Sequence, residues 1–131
     1  MRDNIIDMGI FEQLLEMDDD EERDFSKGIA VDFISQTEAK LNEMDASLSQ
    51  KNLQSLATLG HFVKGSCAAF GFTELKETCE QIQNYGRKVD RSGLPLTLTV
   101  DECLAKLSEL LADAQKQYFE AKAWLKEFYG M

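Results

Sequence analysis

The amino-acid sequence predicts an all-α protein, an antiparallel up-and-down four-helix bundle with a short additional helix at its N-terminus. Three observations carry that expectation. Apolar residues recur at three- and four-residue spacing along most of the chain, as amphipathic helices require. The one proline, Pro95, stands where that spacing lapses, and glycines 71, 93 and 130 fall where the periodic stretches end. No strand alternation and no internal repeat occur. A length of 131 residues fits one domain, 1–131, able to bury a core without disulfides or metal staples.

The elements follow in chain order. A first helix is expected over 6–17, with Ile6, Ile10, Leu14 and Met17 along one side. The acidic run 18–22 makes a turn or a helix start, where negative charge suits the N-terminal dipole. A long second helix over 24–48 carries Phe33, Ile34, Thr37, Leu41, Met44 and Leu48, and its opening turns offer Phe25 and Ile29. The third helix is expected to begin at Ser49 or Gln50 and to end at Phe70 and Gly71, glycine being the commonest helix terminator. The fourth covers 73–90 and buries Leu75, Cys79, Ile82 and Val89. Residues 91–98 form the one clear loop, since Gly93 and Pro95 break both flanking patterns. Thr99 then caps the fifth helix, with Glu102 completing a capping box. Val100, Leu104, Leu107, Leu111, Ala114, Tyr118, Ala121, Leu125 and Phe128 carry its apolar face. Long amphipathic helices joined by short turns specify an antiparallel bundle.

Composition narrows the function. The formal net charge is -10, which argues against nucleic acid and anionic membrane as partners, because both reward a basic surface. A protein partner is expected instead. No apolar run approaches a membrane span, and the first seven residues carry acids where a signal peptide is apolar. The chain is therefore expected inside the cell, small enough to pass between cytoplasm and nucleus. Cys67, Cys79 and Cys103 are odd in number and form no short motif, so they read as small core residues and not as a disulfide framework or zinc site.

The single histidine, His61, marks the candidate site. At about 100° of rotation per residue, Ala57, Lys64, Gly65 and Ala68 fall on the same side of the third helix as His61. Leu56, Leu59, Val63 and Phe70 fall on the opposite side. The apolar stripe faces the core, so His61 faces out. Its i±4 neighbours, Ala57 and Gly65, are small and leave the ring unshielded. Glycine in a helix interior costs about 1 kcal/mol relative to alanine, so Gly65 asks for a reason beyond helix formation, such as room for a tetrahedral phosphoryl group or for another protein. Lys64, one turn on, places an ammonium where it reaches phosphate oxygens. A neutral imidazole is nucleophilic, which suits a group that takes up and gives away a phosphoryl.

Other classes fit less well. A carboxylate-type metal bundle needs Glu-x-x-His pairs on facing helices, but Thr58 stands three residues before the only histidine, so no metal site is expected. An autonomous enzyme would need a nucleotide-binding loop, and no Gly-x-x-x-x-Gly-Lys string is present. A non-catalytic adaptor that docks the same partners without phosphotransfer is the alternative.

The strings His61-Phe62-Val63-Lys64-Gly65-Ser66, Glu80-Gln81-Ile82-Gln83-Asn84-Tyr85-Gly86-Arg87-Lys88, and Met17-Asp18-Asp19-Asp20 followed by Asp24-Phe25-Ser26-Lys27-Gly28 resemble the histidine-containing phosphotransfer (HPt) proteins. The resemblance is closest to the fungal intermediates of the osmosensing phosphorelay, and it runs from about residue 5 to 88, more loosely over the last helix. It implies a phosphorelay intermediate with no autokinase activity, which takes a phosphoryl group from the receiver domain of a hybrid sensor histidine kinase and passes it to receiver domains of response regulators. His61 is then the phosphoryl acceptor, Lys64 the cation beside it and Gly65 the space for the docked partner. Gln83 is the glutamine that hydrogen-bonds the histidine, and Arg87 lies one turn beyond.

Ile10, Leu14, Met17, Phe25 and Ile29 match the family's apolar docking patch, and Ala57 and Ala68 flank the histidine on the same face. For Leu14 and Met17 the spacing leaves burial and docking open, whereas Phe25 is expected in the bundle. Asp18, with Asp19 and Asp20, reads as a solvated helix start that could also steer a basic receiver rim. No cofactor of its own is expected; magnesium belongs on the partner receiver. The acidic surface and complete bundle favour a monomer. Two departures stand out: Cys67 replaces a common second serine, and the loop before the last helix is short.

Overall fold

In the structure, a computed structural model that describes residues 5–131, the chain forms α1 (Met8–Leu15), α2 (Asp24–Ser49), α3 (Leu53–Phe70), α4 (Thr73–Gly86) and α5 (Val100–Tyr129). Among the described residues there is no strand, only an isolated bridge between Val89 and Pro95. Helices α2 to α5 form the expected bundle, each packing on the next and α5 closing against α2, while α1 lies against α3. Side-chain pairings show the antiparallel sense. Tyr129 donates to Ser26, Tyr118 to the Ile34 carbonyl and Gln115 to Asp45, so α5 descends as α2 ascends.

The helix boundaries follow the caps. The first helix is shorter than its spacing suggests because the Asp7 carboxylate accepts from the Gly9 and Ile10 amides and starts it at Met8. The Asp7 amide also donates to the Gly71 carbonyl at 2.7 Å, docking the start of α1 on the end of α3. There Gly71 holds a left-handed φ of 85°. A Cβ at Gly71 would meet the Asp7 carbonyl oxygen at 2.6 Å, so the turn admits only glycine.

Of the two outcomes the sequence allows, the acidic run takes the turn: residues 18–22 lie outside the helices and lead into α2 at Asp24. Asp18 accepts from the Ser26 amide at 2.8 Å and from its hydroxyl at 2.7 Å, and Asp20 accepts from the Asp24 amide, satisfying amides that α2 leaves without intrahelical partners. The third helix begins later than Ser49 or Gln50. The second runs to Ser49, Lys51 takes a left-handed turn, and Asn52 caps the Ser55 amide.

The fourth helix ends at Gly86 and not near Asp90. Lys88 turns left-handed, and the Asp90 carboxylate gathers the Ser92 and Leu94 amides into a tight loop. That leaves Val89 half-buried outside the helix and widens the connection to 87–99. The Thr99–Glu102 capping box is present in full, with mutual bonds of 2.9 and 3.1 Å. Val100, placed on the apolar face by spacing, is exposed in this first turn.

The core holds an aromatic cluster centred on Phe11, which spacing did not single out. Its fully buried ring meets Trp124 and Phe128 edge-on at 5.0 Å and also contacts Phe70 and Tyr129. Phe33, Phe70 and Phe72 extend the cluster. The three cysteines are free and buried. Burial, with the neighbouring Cys79 adding to it, pushes the Cys67 thiol well up, and burial alone takes Cys79 up to about 12. A thiol so held is a poor nucleophile.

Candidate functional site

His61 emerges from the middle of α3 onto the bundle's exterior, opposite the buried Leu56, Leu59, Val63 and Phe70. The neighbouring helix brings Gln83 beside it, and that residue is only 4% exposed. Arg87, at the C-cap of α4, closes the arrangement. A guanidinium only donates hydrogen bonds, so the Gln83 amide turns its oxygen toward Arg87, whose two terminal nitrogens lie 2.8 and 3.1 Å away. The same oxygen lies 3.3 Å from His61 Nδ1. An amide oxygen only accepts, so Nδ1 carries the proton and Nε2, on the other side of the ring, keeps its lone pair. Arg87 thereby fixes the histidine tautomer through one intervening side chain.

Close helix packing makes this reach possible. A Cβ on Gly60 would stand 2.9 Å from the Cys79 carbonyl oxygen and 3.0 Å from the Gln83 nitrogen, and one on Gly86 would stand 2.8 Å from backbone atoms of Leu53 and Ala57. The contact explains a correction. Ala57 was placed on the histidine's face by rotation about the helix axis, but α4 crosses that position and buries it against Gly86. Gly65 behaves differently: beyond its own helix, a Cβ there would meet nothing within 4 Å. Its smallness answers no packing demand inside the chain and leaves the surface beside the ring clear, as it does at exposed Ala68.

Lys64 lies one turn from His61, and its Nζ is 3.6 Å from a carboxylate oxygen of Glu80 on α4. The cation is therefore shared with an acid at the rim of the site. Phe62 is also exposed, with Lys40 Nζ of α2 over its ring at 4.9 Å from the centroid.

The structure sorts the expected docking residues. Met17 is 60% and Phe25 50% exposed, while Ile10 and Ile29 are half-buried. The exposure of Phe25 overturns its expected burial, because the buried stripe of α2 runs through Ser26, Ala30, Phe33 and Thr37 and Phe25 lies to one side of it. Leu14 is only 8% exposed and belongs to the core. Asp18 offers little to a partner, since both its carboxylate oxygens are committed to Ser26. A groove between α2 and α3, lined by Ile29, Asp32, Gln36, Ser66 and Ala69, carries the surface onward to the histidine's helix.

Sequence reasoning passed over Gly60, Phe62, Glu80 and this groove. Gly60 had a signal, a second helix-interior glycine next to the histidine; Glu80 and the groove had none, because each depends on how separate helices come together. Among the described residues no group of three or more His, Cys, Asp or Glu side chains is placed to hold a metal ion, and no helix is long and apolar enough to cross a membrane.

Known proteins resemble this chain in sequence and in fold. The chain is 40% identical over 125 residues to multistep phosphorelay regulator 1 of Schizosaccharomyces pombe, covering 95% of this chain and 42% of that protein. It is 45% identical over 92 residues to the phosphorelay intermediate protein YPD1 of Candida albicans, covering 70% and 50%. The chain thus spans about half the length of the curated relatives it matches. Its fold superposes with a TM-score of 0.84 on the Saccharomyces cerevisiae histidine phosphotransfer signalling protein Ypd1, crystallised with the receiver domain of its downstream response regulator Ssk1. Sequence identity there is 30%, and 97% of this chain and 95% of that one are covered. The sequence profile of the Hpt domain matches residues 28–117, a span that holds His61, Gln83 and Arg87 together, and the chain belongs to the Hpt domain family.

Proposed function

We propose that this protein is a phosphorelay intermediate. His61 takes a phosphoryl group from the phosphoaspartate of one receiver domain and yields it to the aspartate of another. One observation carries the reading: an exposed imidazole whose Nδ1 is held by the buried Gln83 amide, so that Nε2 is the nitrogen presented outward.

In the forward step Nε2 donates its lone pair to phosphorus, the P–O bond to the aspartyl oxygen breaks, and the carboxylate leaves with that electron pair. The ring keeps the proton on Nδ1 and becomes cationic. The Gln83 oxygen, already its acceptor, stabilises that charge, as hydrogen bonds to charged groups do. Lys64 stands within reach of the phosphoryl oxygens on the surface that Gly65 leaves open. Such transfer depends on in-line positioning and charge neutralisation more than on covalent help from the protein, so a carrier with no kinase activity of its own suffices. Magnesium and the reacting aspartate belong to the receiver.

The partners are proposed to be the receiver domain of a hybrid sensor histidine kinase upstream and those of response regulators downstream. They would dock across Met17, Phe25 and the α2–α3 groove, with the chain acting as a monomer. The printed description of the co-crystallised relative, which pairs it with a receiver domain, supports that docking mode. The relatives' names support a relay role; an osmotic input and a working range across cytoplasm and nucleus complete the proposal.

The test is incubation with a phosphorylated receiver domain. The wild type should acquire an acid-labile, alkali-stable label, and His61→Gln should bind the receiver yet take up none. A wild type that binds several receivers without acquiring label would establish the adaptor alternative instead.

A further inference from the structure

We infer that Gly60 is a positioning residue for the phosphoryl acceptor: the missing side chain lets α4 approach α3 closely enough for Gln83 to hold His61 in the tautomer with Nε2 free. The inference rests on the proposed role of His61 as acceptor and adds a residue that touches neither the phosphoryl group nor the imidazole.

The distances set the argument. A Cβ at Gly60 would lie 2.9 Å from the Cys79 carbonyl oxygen, 3.0 Å from the Gln83 nitrogen and 3.2 Å from Ile82 Cγ2. Two of the three atoms are backbone, so no rotamer change relieves the overlap and α4 itself must move away. The segment pushed is the one that carries Gln83. Its amide oxygen already sits 3.3 Å from His61 Nδ1, near the outer limit for a hydrogen bond, so a few tenths of an ångström break the contact. Gln83 is buried and its oxygen is also held by Arg87 at 2.8 Å, so the amide follows its helix and does not stretch back toward the ring.

A neutral imidazole released into water prefers its proton on Nε2, which removes the lone pair from the nitrogen that must attack. Glycine in a helix interior is unfavourable by about 1 kcal/mol relative to alanine, so at a position with room alanine would be the better helix former. Gly65, five residues on, supplies the internal control, because an added Cβ there meets nothing outside its own helix within 4 Å.

The experiment is nitrogen-15 NMR of the His61 imidazole at a pH where the ring is neutral, which reports directly which nitrogen carries the proton. Wild type and Gly65→Ala should show a protonated Nδ1 and a pyridine-like Nε2. Gly60→Ala should exchange the two signatures, and its initial rate of label uptake from a phosphorylated receiver should fall several-fold. Gln83→Leu should show the same exchange with the packing intact, and the double variant Gly60→Ala/Gln83→Leu should show no further change. A folded Gly60→Ala protein that keeps Nδ1 protonated overturns the inference. So does Gln83→Leu keeping Nδ1 protonated, which settles the matter even where Gly60→Ala does not fold. The tautomer is read without any phosphoryl transfer, so absence of label uptake in the wild type would count against the relay, whereas the dependence of the His61 tautomer on Gly60 is decided by the NMR alone.

Discussion

Lys64 on α3 and Glu80 on α4 face each other one helical turn from His61, Nζ to carboxylate oxygen 3.6 Å. The cation that would meet a phosphoryl group is thus already occupied by an acid. Partly exposed pairs of this kind contribute about 0.2–1 kcal/mol, an amount an arriving phosphoryl dianion outcompetes at close range. Glu80→Gln should therefore leave the melting midpoint nearly unchanged while shifting the equilibrium toward phosphohistidine by up to about fivefold. Label retained on His61 at equilibrium with a receiver is the readout; an unchanged partition would show that Glu80 does not compete.

Phe25 and Met17 give the proposed docking surface its exposed apolar area. An aromatic anchor at the centre of an interface commonly costs more than about 1 kcal/mol when truncated. Phe25→Ala should weaken receiver binding roughly tenfold with folding stability within about 0.5 kcal/mol of wild type. Titration calorimetry and urea melts on the same samples distinguish lost contact from lost fold. Leu14→Ala should do the reverse, lowering stability first, because its side chain lies inside.

Phe11 anchors α1 to the bundle from within. Phe11→Ala should cost about 3–5 kcal/mol in urea unfolding, as large-to-small core changes do. Phe119→Ala, at a ring 72% exposed, should stay within about 0.5 kcal/mol. Equal effects would contradict the placement of Phe11 at the centre of the aromatic cluster.

Burial, helped by the Glu38 carboxylate, pushes the Tyr118 hydroxyl up from its ordinary value of 10.0 to about 12. The folded state then holds this proton where the unfolded chain has released it. Stability contributed here is complete below pH 10 and declines as pH rises through about 12. Tyr118→Phe should flatten that alkaline decline while costing about 1 kcal/mol at neutral pH for the lost bond to the Ile34 carbonyl. Some slope should persist, because burial also raises the Tyr129 hydroxyl. Chemical denaturation at a series of alkaline pH values measures both.

Most of the fold was legible in the sequence because its signals are local. Thr99 and Glu102 sit three residues apart and cap their helix as written, and Gly71 ends α3 where the spacing stops. The exposure of His61 was equally legible, since it needs only the rotation of one helix. Part of what failed needed a second helix. Ala57 lies in the direction computed for it, but direction does not say what stands there, and α4 does. Phe25 is exposed because Ser26, Ala30 and Phe33 take the buried side of α2, and the end of α4 is followed by a loop that the carboxylate of Asp90 gathers. Gln83 lies 22 residues from the ring it orients. Its role was available from family resemblance, whereas its coupling to Arg87 and its dependence on Gly60 emerge only where the two helices touch.

The run from Tyr129 through Ser26 to Asp18 joins the last turn of the final helix to the corner between the first two, with both hydroxyl contacts at 2.7 Å. Met17 and Phe25 flank that corner. The last turn of α5 therefore fastens the corner that carries the proposed docking residues Met17 and Phe25, so the C-terminal helix helps set the shape of that surface.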